Sequence, residues 1–362
     1  MEELRYIESD HTYADFSTSL SPALERALEK GESKSTIVLN IFRAGSFTIG
    51  VLEDPEKSMD LDYCRKANIV VRRRQNPGGA VWGPEDGVML VYYLDTEQTW
   101  VPLKTVQEGF RRSLTDLAEV FKELFSIPAV YRPLNDVEVE GRKLVATSAR
   151  LEKGILTMRL LINLVPTDRD ILTRAITMPI EKIQDKKIKE AGARFTCLEA
   201  EIGRKVTSRD LTEMVNRTIS KTFGEAVRIT PGRLTAIEQK YADEYQKTFT
   251  SDEWFYANSE RVRFKNKPSE ATISEGRHKA PAGLIRITLL IRRNMIQDLI
   301  ITGDFHPSPH LVIQDMEANL RGKACDPEGV RAELEKIFDR PGVEIPGTTV
   351  DDFLSAFKRA LA

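Results

Sequence analysis

The sequence predicts an α+β fold: a large domain on a mixed, mainly antiparallel sheet, followed by a small α+β unit at the C-terminal end. Three observations carry that expectation. Segments near 128–132, 135–140, 143–149 and 155–163 are strand-like and separated by turn-length gaps, the mark of an antiparallel meander. Val88–Leu94 is apolar at nearly every position, which predicts a strand covered on both faces. The stretch 264–281 is polar, contains Pro268 and Pro281, and divides this region from a second set of strands and helices.

The elements follow in order. A helix is expected over 15–30, opening near Ser19 or Ser21 with Pro22 in its first turn and stopping at Gly31. Residues 35–42 and 47–51 are β-branched and apolar and predict strands. Residues 57–67 read as helix, and Ile69–Arg73 as a strand feeding a glycine turn. Over Leu103–Phe125, Val106, Phe110, Leu114, Leu117, Val120, Phe121 and Leu124 recur on one helical stripe. After the meander come a lysine-rich helix over 170–190, a helix Ser208–Phe223, and irregular chain carrying Tyr241, Tyr245, Phe249, Trp254, Phe255 and Tyr256. Gly283–Ile291 and Met295–Ile301 form a hairpin, with helices expected over 308–321, over 327–338 and from Val350. The boundaries are therefore 1–263 for the large domain, 264–281 for a linker and 282–362 for the small unit.

With 53 basic and 55 acidic residues among 362, the chain has no general electrostatic reason to bind nucleic acid or an anionic membrane. Cys64, Cys197 and Cys325 are too few and scattered for a disulfide framework, and no structural metal is expected. The start, Met1-Glu2-Glu3-Leu4-Arg5, has no apolar signal region, and no apolar run reaches membrane-spanning length. The expected location is the cytoplasm.

Two segments carry chemistry. Successive glycines let a backbone approach a ligand and aim N–H groups at an anion. Gly78-Gly79, after Arg72-Arg73-Arg74, therefore suits a phosphate or a carboxylate, and equally a tight turn between strands. Asn135-Asp136 suits a metal-phosphate group or a purine-sugar edge, and equally a turn cap. Lys143, after Gly141-Arg142, is either a site cation or an exposed hairpin charge.

Taken together, these segments resemble the lipoate-protein ligase family, within the superfamily shared with biotin ligases and octanoyltransferases. The family's Arg-Arg-x-Ser-Gly-Gly-Gly-Ala-Val motif is matched by Arg73-Arg74-Gln75-Asn76-Pro77-Gly78-Gly79-Ala80-Val81. Its Asn-Asp-x₅-Gly-(Arg/Lys)-Lys segment is matched by Asn135-Asp136 leading to Gly141-Arg142-Lys143. Ile188-Lys189 to Arg194-Phe195-Thr196 resembles the adenylate-side segment, and Glu253-Trp254-Phe255-Tyr256 the aromatic stretch closing the catalytic domain. Ile300–Phe305 through Leu320–Lys323 resembles the accessory domain of full-length ligases.

The resemblance implies a ligase-type catalytic domain with an accessory domain, working on ATP, Mg²⁺, lipoate or a related carboxylic acid, and a lipoyl-carrier protein domain. Lipoyl-adenylate would form first, and the acyl group would then pass to a carrier lysine. Lys143 would stabilise charge on the acyl and α-phosphate oxygens. Asp136 would hold the metal, and Asn135 would orient the adenylate. Gly78, Gly79 and Ala80 would supply a bare floor with N–H groups, Arg73, Arg74 and Asn76 would complete the substrate side, and Arg74 would face the anionic end. Val81, Leu90 and Val91 would line an apolar slot.

Departures from the family pattern cluster on the acyl side. Pro77 and Asn76 replace a glycine and a serine, Gly83 stands where a histidine is usual, and Val145-Ala146-Thr147-Ser148-Ala149 replaces a Gly-Ser-Ala stretch. Trp82-Gly83-Pro84-x-x-Gly87 echoes biotin ligases. Biotin or another acid, an octanoyl or lipoyl transferase using Cys197, and a non-catalytic paralogue are the alternatives.

Overall fold

The computed structural model describes residues 2–133, 135–177, 195–224, 227–307, 309 and 311–362. Along the chain the strands are β1 (Glu2–Ser9), β2 (Thr36–Ile41), β3 (Ser46–Ile49), β4 (Val70–Arg73), β5 (Val81–Gly83), β6 (Val88–Asp95) and β7 (Ala129–Arg132). They continue as β8 (Asp136–Val139), β9 (Arg142–Glu152), β10 (Ile155–Ile162), β11 (Val227–Pro231), β12 (Thr272–Ala280), β13 (Gly283–Arg292) and β14 (Met295–Gly303). The chain folds as two compact units that are not consecutive in sequence. The first draws on Met1–Phe47, Trp82–Leu172 and the described part of Lys182–Thr248. The second draws on Thr48–Val81, the described part of Thr173–Glu181, and Phe249–Ala362.

The first unit is built on an eight-stranded sheet in the order β11-β1-β2-β6-β10-β9-β8-β7. The expected meander is its β7–β10 half, paired antiparallel throughout. Successive residues of a strand face opposite sides. Val88, Leu90, Tyr92 and Leu94 of β6 accordingly enter one core with Leu114, Leu117, Val120 and Phe121 of the helix Val106–Phe125. Met214, Val215 and Ile219 of the helix Ser208–Phe223 join the same core. Both helices open on a capping box, Thr105 with Glu108 and Thr207 with Asp210, which satisfies first-turn N–H groups.

Three elements of this unit go beyond the sequence expectation. Glu2–Ser9 is a strand, parallel to both β2 and β11. Val227–Pro231 is its outer neighbour. Ala236–Phe249, expected as irregular chain, is a helix. Its Tyr241 and Ala242 bury against Ala23 and Ala27, and the Arg26 guanidinium lies 3.9 Å from the Tyr241 ring centroid. The helix expected over 170–190 is present over Arg169–Ala175, and residues 178–190 lie outside the described residues.

The second unit contains the antiparallel sheet β12-β13-β14 with the helices Val312–Leu320, Pro327–Phe338 and Val350–Leu361. Ile285, Ile287, Leu289, Met316, Leu334, Phe353 and Phe357 make its core. The polar stretch 264–281, expected as a linker, carries a full strand: Thr272–Ala280 pairs along β13 from Ile291 to Gly283. It is an edge strand of this sheet among the described residues, and its polar side chains are mostly half-buried in local pairs, such as Arg277 with Glu275 at 2.6 Å and His278 with Asp352 at 2.8 Å. Among the described residues, no helix is long and apolar enough to cross a membrane.

Candidate active site

In the first unit the candidate residues Asn135, Asp136 and Lys143 meet at the β8–β9 hairpin. Glu140 (φ 51°) and Gly141 (φ 76°) form a two-residue turn, both in the left-handed region, as the twist of paired strands requires. From the turn the pairing runs Val139 with Arg142 and Glu138 with Lys143, and then jumps to Val137 with Val145. Leu144 is the extra residue of a β-bulge, and Leu144 and Val145 are consecutive yet both buried. The register of the turn sets Lys143 on the face of Asp136 and Glu138. The bulge lets Val145 pair with Val137 on the core side despite the extra residue.

There Lys143 Nζ lies 2.7 Å from Asp136 Oδ2, with the two side chains 30% and 18% exposed. The other carboxylate oxygen, Oδ1, is buried with no hydrogen-bond partner among the described residues. Asn135 is committed locally: its Nδ2 donates to Thr147 O at 2.6 Å, and Thr147 N donates back to Asn135 O at 3.1 Å. This clasp fixes the entry of β8 beside β9.

The main chain around Lys143 is held by residues distant in sequence. Lys143 O accepts from Thr196 N at 3.0 Å and from Asn163 Nδ2 at 3.4 Å, and Phe195 forms a parallel bridge with Lys143. Arg142 reaches Glu201 Oε1 at 3.0 Å and Thr196 Oγ1 at 3.4 Å. Phe195 is 56% exposed, unusual for a phenylalanine so firmly placed. The expected adenylate-side segment thus lies beside Lys143 at Phe195-Thr196, while its part from Ile188 to Arg194 is outside the described residues. Asn163 and Glu201 had no sequence signal, because their roles depend on which strand ends meet.

The glycine turn belongs to the second unit. Arg73 is buried: its guanidinium donates to Val51 O and to Trp254 O, the latter at 2.8 Å, and sits 4.8 Å from the Trp254 ring centroid. Trp254 Nε1 donates to Arg73 O at 2.6 Å. Burial pushes the Arg73 guanidinium down to about 10, against the pull of Asp54, so it remains a cation at neutral pH. Arg74 donates to Thr48 O and Oγ1, to Pro77 O at 2.9 Å and to Gly79 O at 3.0 Å. Expected to face the anionic end, it also gathers the turn's carbonyls. Asn76 O accepts from Val51 N at 3.1 Å, a Cβ on Gly50 would collide with Gly78 O, and Ala80 directly precedes β5.

The expected apolar slot needs one correction. Leu90 is fully buried in the core under the helix Val106–Phe125, whereas Val91 faces the other side of the sheet, level with Arg159 and Val38. The two cannot line one slot. Gly83 also has a local cause: a Cβ there would collide with the side chain of Tyr13. All three thiols are reluctant to ionise. Burial pushes Cys64 up to about 11, with Asp60 adding to it, raises Cys197 with Glu199 and Glu201 adding, and raises Cys325. Among the described residues, no group of three or more His, Cys, Asp or Glu side chains could hold a metal.

A mixed sheet bearing a lysine hairpin, together with a three-stranded helical unit, defines a class of enzymes that ligate or transfer lipoyl-type acyl groups. Residues 15–220, more than half of the chain, match the family described as Lipoyl protein ligase A/B catalytic domain, and residues 272–357 match Bacterial lipoate protein ligase C-terminus. The chain belongs to the lipoate-protein ligase family. A protein of Mycoplasma genitalium called probable lipoate-protein ligase A is 22% identical over 296 residues, 80% of this chain and 81% of that one. Octanoyltransferase LipM of Geobacillus kaustophilus is 23% identical over 277 residues, 70% of this chain and 98% of that one. The structure of P. falciparum LipL1 in complex with lipoate shares the fold, with a TM-score of 0.68 at 14% identity over 97% of this chain and 98% of that one. A lipoate-protein ligase A bound with ATP gives 0.57 at 20% identity over 71% and 99%.

Proposed function

We propose that this protein is an ATP-dependent lipoate-protein ligase, which activates lipoate or a related acid as its adenylate and transfers the acyl group to a carrier lysine. The observation that carries the reading is Lys143, set opposite Glu138 in the hairpin and held by Asp136. In the first step an acid carboxylate oxygen attacks the α-phosphorus of ATP, and pyrophosphate leaves. In the second a carrier lysine amine attacks the acyl carbon, and AMP leaves. Negative charge grows on α-phosphate oxygens in one step and on the acyl oxygen in the other. The Lys143 ammonium offers donors to both, and loss of one such donor typically costs about 10²–10³ in rate.

Asp136 fits a magnesium ion carried by the triphosphate, since one carboxylate with phosphate and water oxygens is an ordinary magnesium donor set. When bound, the ion neutralises triphosphate charge. Asn135 keeps Asp136 in register by its clasp on Thr147. Arg73, Arg74, Asn76, Gly78, Gly79 and Ala80 remain proposed contacts of the substrates or shapers of their floor. ATP as cofactor is supported by the ATP-bound ligase of the same fold, and lipoate and a lipoyl domain by the bound partners of other neighbours.

The octanoyltransferase reading is favoured by the LipM relatives, but it needs a reactive thiol. The raised thiols support ligation instead, as does the match to the ligase C-terminal family. The test is a panel of lipoate, octanoate and biotin, scored for adenylate by mass spectrometry with and without ATP. Adenylate from lipoate supports the reading. A thioester on a cysteine without ATP replaces it with transfer, and no product from any acid replaces it with a non-catalytic paralogue.

A further inference from the structure

His306 follows β14 in the second unit and stands against the glycine turn of that same unit. A Cβ on Gly78 would lie 3.2 Å from His306 Cε1, 3.4 Å from His306 Nε2 and 3.0 Å from Arg74 Nη2. The absent side chain at Gly78, which has φ of 99°, is what lets imidazole and guanidinium both reach the turn's main chain. A Cβ on Gly79 would lie 3.7 Å from Asp304 Cβ, so the segment 304–306 borders both glycines.

The neighbours of the imidazole have other work. Arg74 serves Thr48, Pro77 O and Gly79 O, and the Asp304 carboxylate accepts from Leu284 N. His306 is exposed, and among the described residues no hydrogen bond or ion pair engages its ring. Partial burial and the Arg74 guanidinium pull the imidazole below the ordinary histidine range, with Asp304 acting the other way. An oxyanion at this bare turn would meet the imidazole beside the glycines, and its charge would favour the protonated ring.

We infer that His306 contacts an oxyanion of a co-substrate at Gly78–Gly79, either a phosphate of ATP or the carboxylate of the acid. The identity of that oxyanion rests on the ligase reading, whereas the subsite itself rests on the geometry.

The test is His306→Gln in the full-length protein, with equilibrium binding of a non-hydrolysable ATP analogue, of lipoate and of inorganic pyrophosphate measured separately. The variant is expected to bind at least one of them about tenfold more weakly, with an unchanged melting temperature because the ring is exposed. In the wild type that affinity rises as pH falls through the imidazole range, because binding favours the protonated ring, and the variant loses this slope. Loss confined to the ATP analogue or pyrophosphate identifies phosphate, and loss confined to lipoate identifies carboxylate. His278→Gln, whose ring contacts Asp352 at 2.8 Å, serves as the control and should leave all three unchanged. Equal affinities of wild type and His306→Gln for all three ligands, with the same pH slope, overturn the inference. A wild type that forms no adenylate but binds pyrophosphate through His306 would overturn the ligase reading alone.

Discussion

Lys143 Nζ stands 2.7 Å from Asp136 Oδ2, on the face of Glu138, in a hairpin whose β9 carries one residue more than β8 can pair. The hairpin turn fixes one end of the register and the Asp136–Ala146 pair the other, so Leu144 is the residue absorbed. Deleting Leu144 should leave these pairs in place and keep Lys143 opposite Glu138, at the loss of one buried side chain. The deletion is expected to keep adenylate formation and to lower stability by about 2–5 kcal/mol. Leu144→Ala keeps the residue count: it should cost about 2–4 kcal/mol through the cavity while adenylate still forms. Denaturant melts beside an adenylate assay read both variants; adenylate formation lost in a folded deletion variant would refute the register account.

Trp254 and Arg73 brace the glycine turn reciprocally, each donating to the other's main-chain carbonyl. Trp254→Phe retains the ring but loses the 2.6 Å bond to Arg73 O, leaving a carbonyl short of a donor. The expected loss is about 1–2 kcal/mol, read as a lower denaturant midpoint at unchanged slope. An unaltered midpoint would mean that the brace contributes nothing.

Glu25 ties the helix Ser21–Glu29 to the sheet through Arg150 at 2.7 Å and Arg159 at 3.7 Å, and accepts from Thr157 Oγ1 at 2.7 Å. Burial favours its neutral form, yet Arg159 and Arg150 outweigh that and hold the carboxyl below the ordinary range. A carboxyl depressed in the folded state adds stability above its unfolded value. That stability is lost as pH falls from about 4.5 through the folded value. Glu25→Gln is expected to cost about 3 kcal/mol at neutral pH, and to flatten the acid limb of the stability profile. An identical acid limb in both proteins would assign that limb to other carboxyls.

The cysteines supply a prediction of no effect. Cys197→Ser should keep full ATP-dependent activity, since burial and the neighbouring Glu199 and Glu201 oppose ionisation of its thiol. Activity lost in Cys197→Ser, with a thioester trapped on the wild type, would return the transferase reading.

The meander, both long helices of the first core and the C-terminal hairpin were legible, because each is long or strongly periodic. β1 was not. Its buried residues Leu4 and Ile7 are three apart and its other positions are largely charged, so no period of two appears. The helix Ala236–Phe249 was hidden by aromatics that looked like loop residues, although Ile237, Tyr241 and Tyr245 recur every fourth position. Asn135, Asp136 and Lys143, singled out in the sequence, lie together on one hairpin, with Lys143 paired to Asp136. The bulge was written only in the adjacent pair Leu144-Val145, which breaks an alternating strand. The hydrogen bonds of Arg74 to turn carbonyls were not legible, because a guanidinium beside glycines suits an anion and a set of carbonyls equally well. His306 carried no signal, since its neighbour Gly78 lies more than two hundred residues away.

The central claim is that Lys143 activates an acid at the α-phosphate of ATP. The most direct measurement is lipoate-dependent exchange of labelled pyrophosphate into ATP, which reads the first step without any carrier protein. Wild type should exchange, and Lys143→Ala should fall by at least about a hundredfold while keeping its melting temperature. Exchange undiminished in Lys143→Ala, or absent from wild type with every acid of the panel, would contradict the account.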